Sequence, residues 1–337
     1  MKIFFGKTPQ GEDAYLYTLS CGELTAVVSD FGATLVKLFV PDARGELADV
    51  VLGFDCPADY AASGTFFGAT VGRNANRVKN GCFILNNTTY CLSANDGCNN
   101  LHSGPDCYKD RLWNVVSHEQ NSIHLTIYSP HGDQGFPGNA HISVRYQLEA
   151  DGLRILYDAL SDQDTVFNLT NHSYFNLAGH QHPQRAMDQV LSMPARFFTP
   201  ATAESIPTGE CLPVAGTPMD FRNPKPLRRD IGADFEPLHL QLGYDHNFEV
   251  FCNPCACLSD PVSGRHMAVQ TDCPGVQLYS ANYTEETGKD GVYYPRRSGV
   301  CLETQFFPDS VNHPEWKQPF VKAGEKYHSE TKYCFYW

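Results

Sequence analysis

What most limits the fold of this chain is a succession of short apolar runs with β character, each cut off by Gly, Pro, Asn or Asp. The clearest are residues 24–40, 82–92, 122–129, 141–149, 153–161, 189–198, 246–251, 266–271 and 275–282. They are rich in Val, Ile, Phe and Tyr, and several alternate between apolar and polar positions, as strands with one buried face do. Ala150–Asp151–Gly152, between two of these runs, reads as a hairpin turn. Helical signals are weak: residues 56–64 suit one short helix, and 314–320 are broken by proline on both sides. There is no βαβ rhythm and no dinucleotide fingerprint. The expected fold is therefore all-β, a large and mostly antiparallel β-sandwich with few short helices, built by residues 1–337 as a single domain. Residues 199–243, rich in Pro, Gly and charge, are expected to run as a long excursion over one face of a sheet.

Charge narrows the partners. With 38 acidic and 25 basic residues the formal net charge is -13, which opposes binding to nucleic acid or to an anionic membrane and leaves neutral ligands open. No apolar run approaches the roughly 18 residues of a membrane-spanning helix. The first residues lack the apolar stretch of a secretory signal. Thirteen cysteines, scattered and odd in number, fit a reduced chain, so a cytoplasmic location is expected. The run Cys252–Cys257 invites a zinc reading, but its spacing lacks a second well-placed ligand pair, and no metal is expected.

Two polar clusters stand out against this apolar background. One is NLTNHSYFNLAG, residues 168–179, centred on His172; the other is CLETQFFPDSVN, residues 301–312, with Glu303 near its start. A carboxylate between Leu302 and Thr304 in a strand-like run is costly to bury unless it is paired or functional. A histidine beside Asn and Ser could simply tie a buried turn together, yet a histidine and a carboxylate held close in apolar surroundings can exchange protons near neutral pH. Further patches carry Arg73, Asn76 and Arg77 (68–81), His102 (95–104), Asp245 and His246 (244–250) and Gln277 (274–283). A guanidinium, amides and a carboxylate suit a polyhydroxylated ligand, with Tyr174 available to stack on its apolar face. On a strand, Asp245 and His246 point to opposite faces, and Asp245 is assigned to the pocket. His313 reads as structural. No Gly-x-Ser-x-Gly elbow is present, which argues against serine hydrolysis.

The segments GATVGRNANRVKNGCF, NDGCNNLHSG, NLTNHSYFNLAG, LGYDHNFEV, PGVQLYSAN and GVCLETQFFPDSVNHP, in this order, give the chain a resemblance to the aldose 1-epimerase (galactose mutarotase) family from about residue 20 to near the C-terminus. The resemblance implies Glu303 as general base and His172 as general acid, with His102 as a second active-site histidine. It also implies Arg77, Asn76, Asp245, Gln277 and Tyr174 as sugar-binding residues. The implied reaction interconverts the anomers of free aldohexoses such as galactose and glucose, without metal or organic cofactor, in a monomer or homodimer. Ser103 and Phe306 depart from the family's frequent glycine and polar residue, and both are expected to affect ligand fit. A hexose-phosphate epimerase, a non-catalytic sugar-binding protein and a glycosidase are the alternatives; the first would need a basic patch, to which Arg73 and Lys79 are available.

Overall fold

Ala140, Ile142, Val144, Tyr146 and Leu148 are buried while the residues between them are less so, the two-residue period of a strand with one face in a core. The computed structural model, which describes residues 1–337, pairs this strand, Ala140–Glu149, antiparallel with Ser122–Ser129 and with Gly152–Ser161. The ladder continues into a nine-stranded sheet. Its spatial order is Asn114–His118, Ser122–Ser129, Ala140–Glu149, Gly152–Ser161, Lys326–Tyr336, His266–Thr271, Ala256–Ser259, Val190–Ser192 and Lys225–Pro226. The aromatic C-terminal run thus lies in mid-sheet, Ser329 opposite Tyr157 and Tyr333 opposite Val269.

Glu149 pairs with Gly152, so the hairpin turn is Ala150–Asp151 and the glycine belongs to the strand. A Cβ on Gly152 would lie 2.2 Å from the Tyr333 carbonyl oxygen, backbone that cannot withdraw without opening the ladder. Gly152→Ala is therefore expected to cost about 1–3 kcal/mol in urea unfolding; a variant as stable as wild type would show that the two strands can part there at no cost.

Two further sheets complete the architecture. A meander of Lys2–Lys7, Asp13–Cys21, Leu24–Ser29, Thr34–Pro41 and Leu47–Asp49 forms one. The other runs Leu212–Pro213, Phe197–Thr199, Asp245–Glu249, Gly275–Tyr279, Cys301–Gln305. One apolar cluster takes Leu19, Val28 and Leu35 from the meander, Ile142, Ile155 and Tyr333 from the large sheet, and Phe248, Val276 and Leu302 from the third. This is the all-β, mostly antiparallel layering that the run pattern implies. The excursion 199–243 packs Val214, Met219, Phe221 and Leu238 into the same core and holds one short α-helix, Glu236–Leu240. The expected helix at 56–64 is Pro57–Ala62, and no helix forms over 314–320. Residues 82–92 make a tight hairpin, Cys82–Leu85 with Thr88–Cys91, whose turn residues Asn86 and Asn87 both have left-handed φ (50° and 61°). No helix is long and apolar enough to cross a membrane.

The outer strand of the meander is tied to the body by a buried cation. Lys289, fully buried, donates from Nζ to Asp49 Oδ2 (2.6 Å) and to the carbonyls of Val51 (2.7 Å) and Val36 (2.8 Å). Burial pulls the Lys289 ammonium below its usual range, and Asp49 opposes that pull.

Candidate active site

The third sheet builds one wall of the site through its register. Asp245 lies opposite Tyr279 and Asn247 opposite Gln277; Gln277 in turn lies opposite Glu303, and Tyr279 opposite Cys301. Opposed residues share a face and successive residues alternate, so Asp245, Gln277, Tyr279, Cys301 and Glu303 all point the same way. His246 points to the other side, edge-on to Phe198 at 5.9 Å, as alternation requires. Over the polar face opens a cavity of about 310 Å³, the size range of small-ligand sites, lined by Asp245, Glu303, His172, His102, Arg77 and Asn76 among others.

His172 enters from a second element. The short strand Thr170–Asn171 pairs with Thr70–Val71, and the residue after it meets the third sheet, placing His172 Nε2 3.6 Å from Glu303 Oε2. That is longer than a hydrogen bond, and buried Oε2 has no protein partner at all. The imidazole is sandwiched between Phe66 (5.9 Å) and Tyr174 (5.1 Å), and its Nδ1 lies 3.6 Å from Cys301 Sγ. Burial lowers His172 to about 4. Burial also raises Glu303 well above the carboxylate range; Asp245 adds to the rise and Arg77 opposes it. Arg77 is thus felt by Glu303 and by His102, whereas burial alone keeps His172 neutral. The charge of Asp245 acts on Glu303.

Arg77 and His102 arrive together because Arg77–Val78 pairs with Asn100–Leu101. Arg77 Nε donates to Asp96 Oδ2 (2.7 Å), which orients the guanidinium and leaves its other N–H groups for the pocket. His102 Nδ1 accepts the Asn76 backbone N–H (3.1 Å), while the His102 backbone N–H donates to Asn76 O (3.0 Å). With Nδ1 an acceptor, the neutral ring carries its proton on Nε2 and is an N–H donor. Burial, then His172 and Arg77, hold His102 well below the usual imidazole value. His102, His172 and Glu303 bring ligating atoms within 4.8 Å of one another, the spacing of a two-histidine, one-carboxylate metal site. The tautomer does not fit that use, because neither nitrogen of His102 has a lone pair to spare.

The other expected residues fall into two groups. Tyr174 forms a wall, its hydroxyl donating to Thr65 O (2.7 Å). Gln277 sits behind Asp245 and donates Nε2 to Asp245 Oδ1 (2.7 Å), so it reaches the cavity through that carboxylate. Arg73 is fully buried away from the cavity, its guanidinium spent on Ser129 and on the carbonyls of Pro137 and Gly138. Ser103 and Phe306 are not in the wall either. Ser103 Oγ accepts from Asn74 N (2.8 Å) and donates to Asn74 O (3.0 Å), and its left-handed φ of 70° explains why glycine suits the position. Phe306 packs on the core, with the Lys317 ammonium 5.5 Å from its ring.

Sequence reasoning passed over Phe66 and Tyr279. Tyr279 was legible as the residue two beyond Gln277 on a strand. Phe66, at φ 59° in an aromatic turn, carries no comparable signal, though its ring covers His102 (4.8 Å) as well as His172.

Comparison with known proteins finds relatives along almost the whole chain. The sequence model described as aldose 1-epimerase matches residues 15–334. The galactose mutarotase of Sus scrofa is 38% identical over 340 residues, covering 98% of this chain and 97% of its own. The aldose 1-epimerase of Escherichia coli is 35% identical over 337 residues, covering 97% and 96%. Among solved structures, an aldose epimerase homologue from C. elegans superimposes with a TM-score of 0.89 at 30% identity, over 96% of this chain and 99% of its own. The galactose 1-epimerase of Lactobacillus acidophilus gives 0.87 at 28% identity, over 100% and 98%. A full-length match in sequence, carried on the same fold, makes this chain a member of the aldose 1-epimerase family.

Proposed function

We propose that the protein interconverts the α and β anomers of a free aldohexose, galactose and glucose being the expected class, with Glu303 and His172 as the proton-transfer pair. The observation that carries this reading is the unpartnered Glu303 Oε2 facing His172 Nε2 at 3.6 Å in a buried polar pocket. Glu303 takes the proton of the C1 hydroxyl while His172 gives one to the ring oxygen. The bond from C1 to the ring oxygen breaks, C1 becomes a carbonyl, rotation about C1–C2 offers its other face, and reclosure reverses both transfers. No electrons or groups leave the sugar, so side chains that hold and move protons suffice. His102, with its Nε2–H, and Arg77 supply positive dipole and charge for the oxygen as the bond breaks. Asp245, steadied by Gln277, accepts hydrogen bonds from sugar hydroxyls.

The electrostatics set where the pair's one proton rests. Ring opening converts an ionised Glu303 and a protonated His172 into a neutral pair. Burial raises Glu303 and lowers His172, and both shifts favour the neutral pair. The same shifts favour the neutral pair with the closed sugar bound, so the single proton passes from Glu303 to His172 before the ring opens.

A phosphorylated sugar fits less well. Arg77, already bonded to Asp96, is the cation of the wall, whereas Asp245, Glu286 and Glu303 are carboxyl groups there. The free thiols Cys91, Cys98, Cys211 and Cys252, all exposed, support a reducing, cytoplasmic setting.

Polarimetry on freshly dissolved α-D-galactose is the test: the protein is expected to speed the approach to equilibrium rotation, and a folded protein that does not would remove this reading. The active pair holds one proton, so kcat/KM should fall on the acid side as His172 protonates near 4 and on the alkaline side as Glu303 ionises, above the usual carboxylate range. Asp245→Asn removes the negative neighbour that raises Glu303, so it should move the alkaline limb to lower pH and weaken binding. An unmoved limb with unchanged KM would show that Asp245 has neither role.

A further inference from the structure

The hairpin 82–91 carries two cysteines that the sugar chemistry does not use. Cys82 lies directly opposite Cys91, and their sulfur atoms are 3.1 Å apart. The ladder fixes this position. Leu85 and Thr88 close the two-residue turn, and pairs then alternate outward between hydrogen-bonded and non-hydrogen-bonded. The pair beyond the cysteines is bonded, Leu92 N–H to Gly81 O at 2.6 Å, so Cys82 and Cys91 occupy a non-hydrogen-bonded site. Opposed Cα atoms at such sites are about 4.5 Å apart with side chains leaning together. That lies within the span of about 4.4–6.8 Å that a disulfide bridges.

The hairpin is accessible and already rigid. Cys91 is exposed and Cys82 partly so. Phe83 stacks on Tyr90 (5.4 Å) and Phe136 (5.8 Å), Asn86 donates to Asp164 (2.8 Å), and Asn312 donates to the Cys82 carbonyl (3.0 Å). Its base also joins the site's supports: Asp309 donates its N–H to Arg77 O (2.9 Å) and accepts from Lys79 N (2.9 Å).

We propose that Cys82 and Cys91 are a redox-responsive pair that closes to a cross-strand disulfide on exposure to a peroxide and reopens with a dithiol. The more exposed Cys91 thiolate attacks the peroxide: an S–O bond forms, the O–O bond breaks, and the departing hydroxide takes up a proton as water. The Cys82 thiolate then attacks the sulfenic sulfur, forming the S–S bond as the S–O bond breaks and a second water leaves. Two thiols and one peroxide become one disulfide and two waters.

The full-length protein treated with stoichiometric hydrogen peroxide, then alkylated and mapped without reduction, provides the test. A cross-linked species joining the peptides of Cys82 and Cys91 is expected, lighter by two hydrogens, reversed by dithiothreitol and absent in Cys82→Ser and Cys91→Ser. The oxidised protein should melt a few degrees above the reduced one, a gain both variants lack. Cys82 and Cys91 both still alkylatable after other exposed thiols have reacted, a bridge to Cys98 instead, or a lowered melting temperature would each overturn the proposal.

Discussion

Glu303→Gln is expected to lower kcat for galactose mutarotation by about 10²–10⁴-fold. Glutamine keeps the shape of a side chain that is 2% exposed on the strand Cys301–Gln305, so the sheet and its register should survive. What is lost is the proposed acceptor of the C1–OH proton. His172→Ala should fall by a similar factor, because Nε2 is the group aimed at the same gap. The two act on one proton inventory, so the double variant should be little slower than either single one. Polarimetry beside circular dichroism checks this. A folded Glu303→Gln retaining a third of wild-type activity would place the base elsewhere, and fully additive losses would show that the residues do not work as a unit.

The largest expected loss of stability comes from Lys289→Met. The methionine would fill the space of the lysine stem but leave Asp49 buried without its cation, and the carbonyls of Val36 and Val51 without their donor. Breaking a buried pair from one side costs about 3–5 kcal/mol. Asp49 Oδ1 keeps the Leu38 N–H (3.0 Å), so part of the carboxylate stays satisfied. Adding Asp49→Asn should recover some of the loss, since no charge is then stranded. Urea unfolding of the three variants measures both effects. A loss below about 1 kcal/mol in the single variant would mean that water or a relaxed backbone replaces the ammonium.

Much of this arrangement was legible residue by residue. The strands Ser122–Ser129 and Ala140–Glu149 read directly from alternation because each has one face in the core. Glu303 and His172 stood out because a charge or imidazole in an apolar run requires a reason. Their convergence was not legible: it depends on the third sheet's register and on the pairing of Thr170–Asn171 with Thr70–Val71, contacts between distant parts of the chain. The run 189–198 read as one strand but serves two sheets, Val190–Ser192 in one and Phe197–Thr199 in the other, with Pro194 between them unable to donate to a ladder. Arg73 and Arg77 look alike in the motif; they part company because loop carbonyls at Pro137 and Gly138 capture Arg73, and nothing in the motif itself names those partners.

The mid-sheet place of Lys326–Tyr336 bears on how the molecule is made. Synthesis runs from the N-terminus, so Gly152–Ser161 and His266–Thr271 leave the ribosome long before the strand that joins them. Until it arrives, each presents an open edge of unsatisfied N–H and C=O groups, the kind of surface on which nascent chains associate wrongly. Closure of the large sheet is a late, long-range event rather than a progressive one. A ribosome stalled just short of residue 326 would hold a chain with His172 and Glu303 already translated and its largest sheet still in two halves.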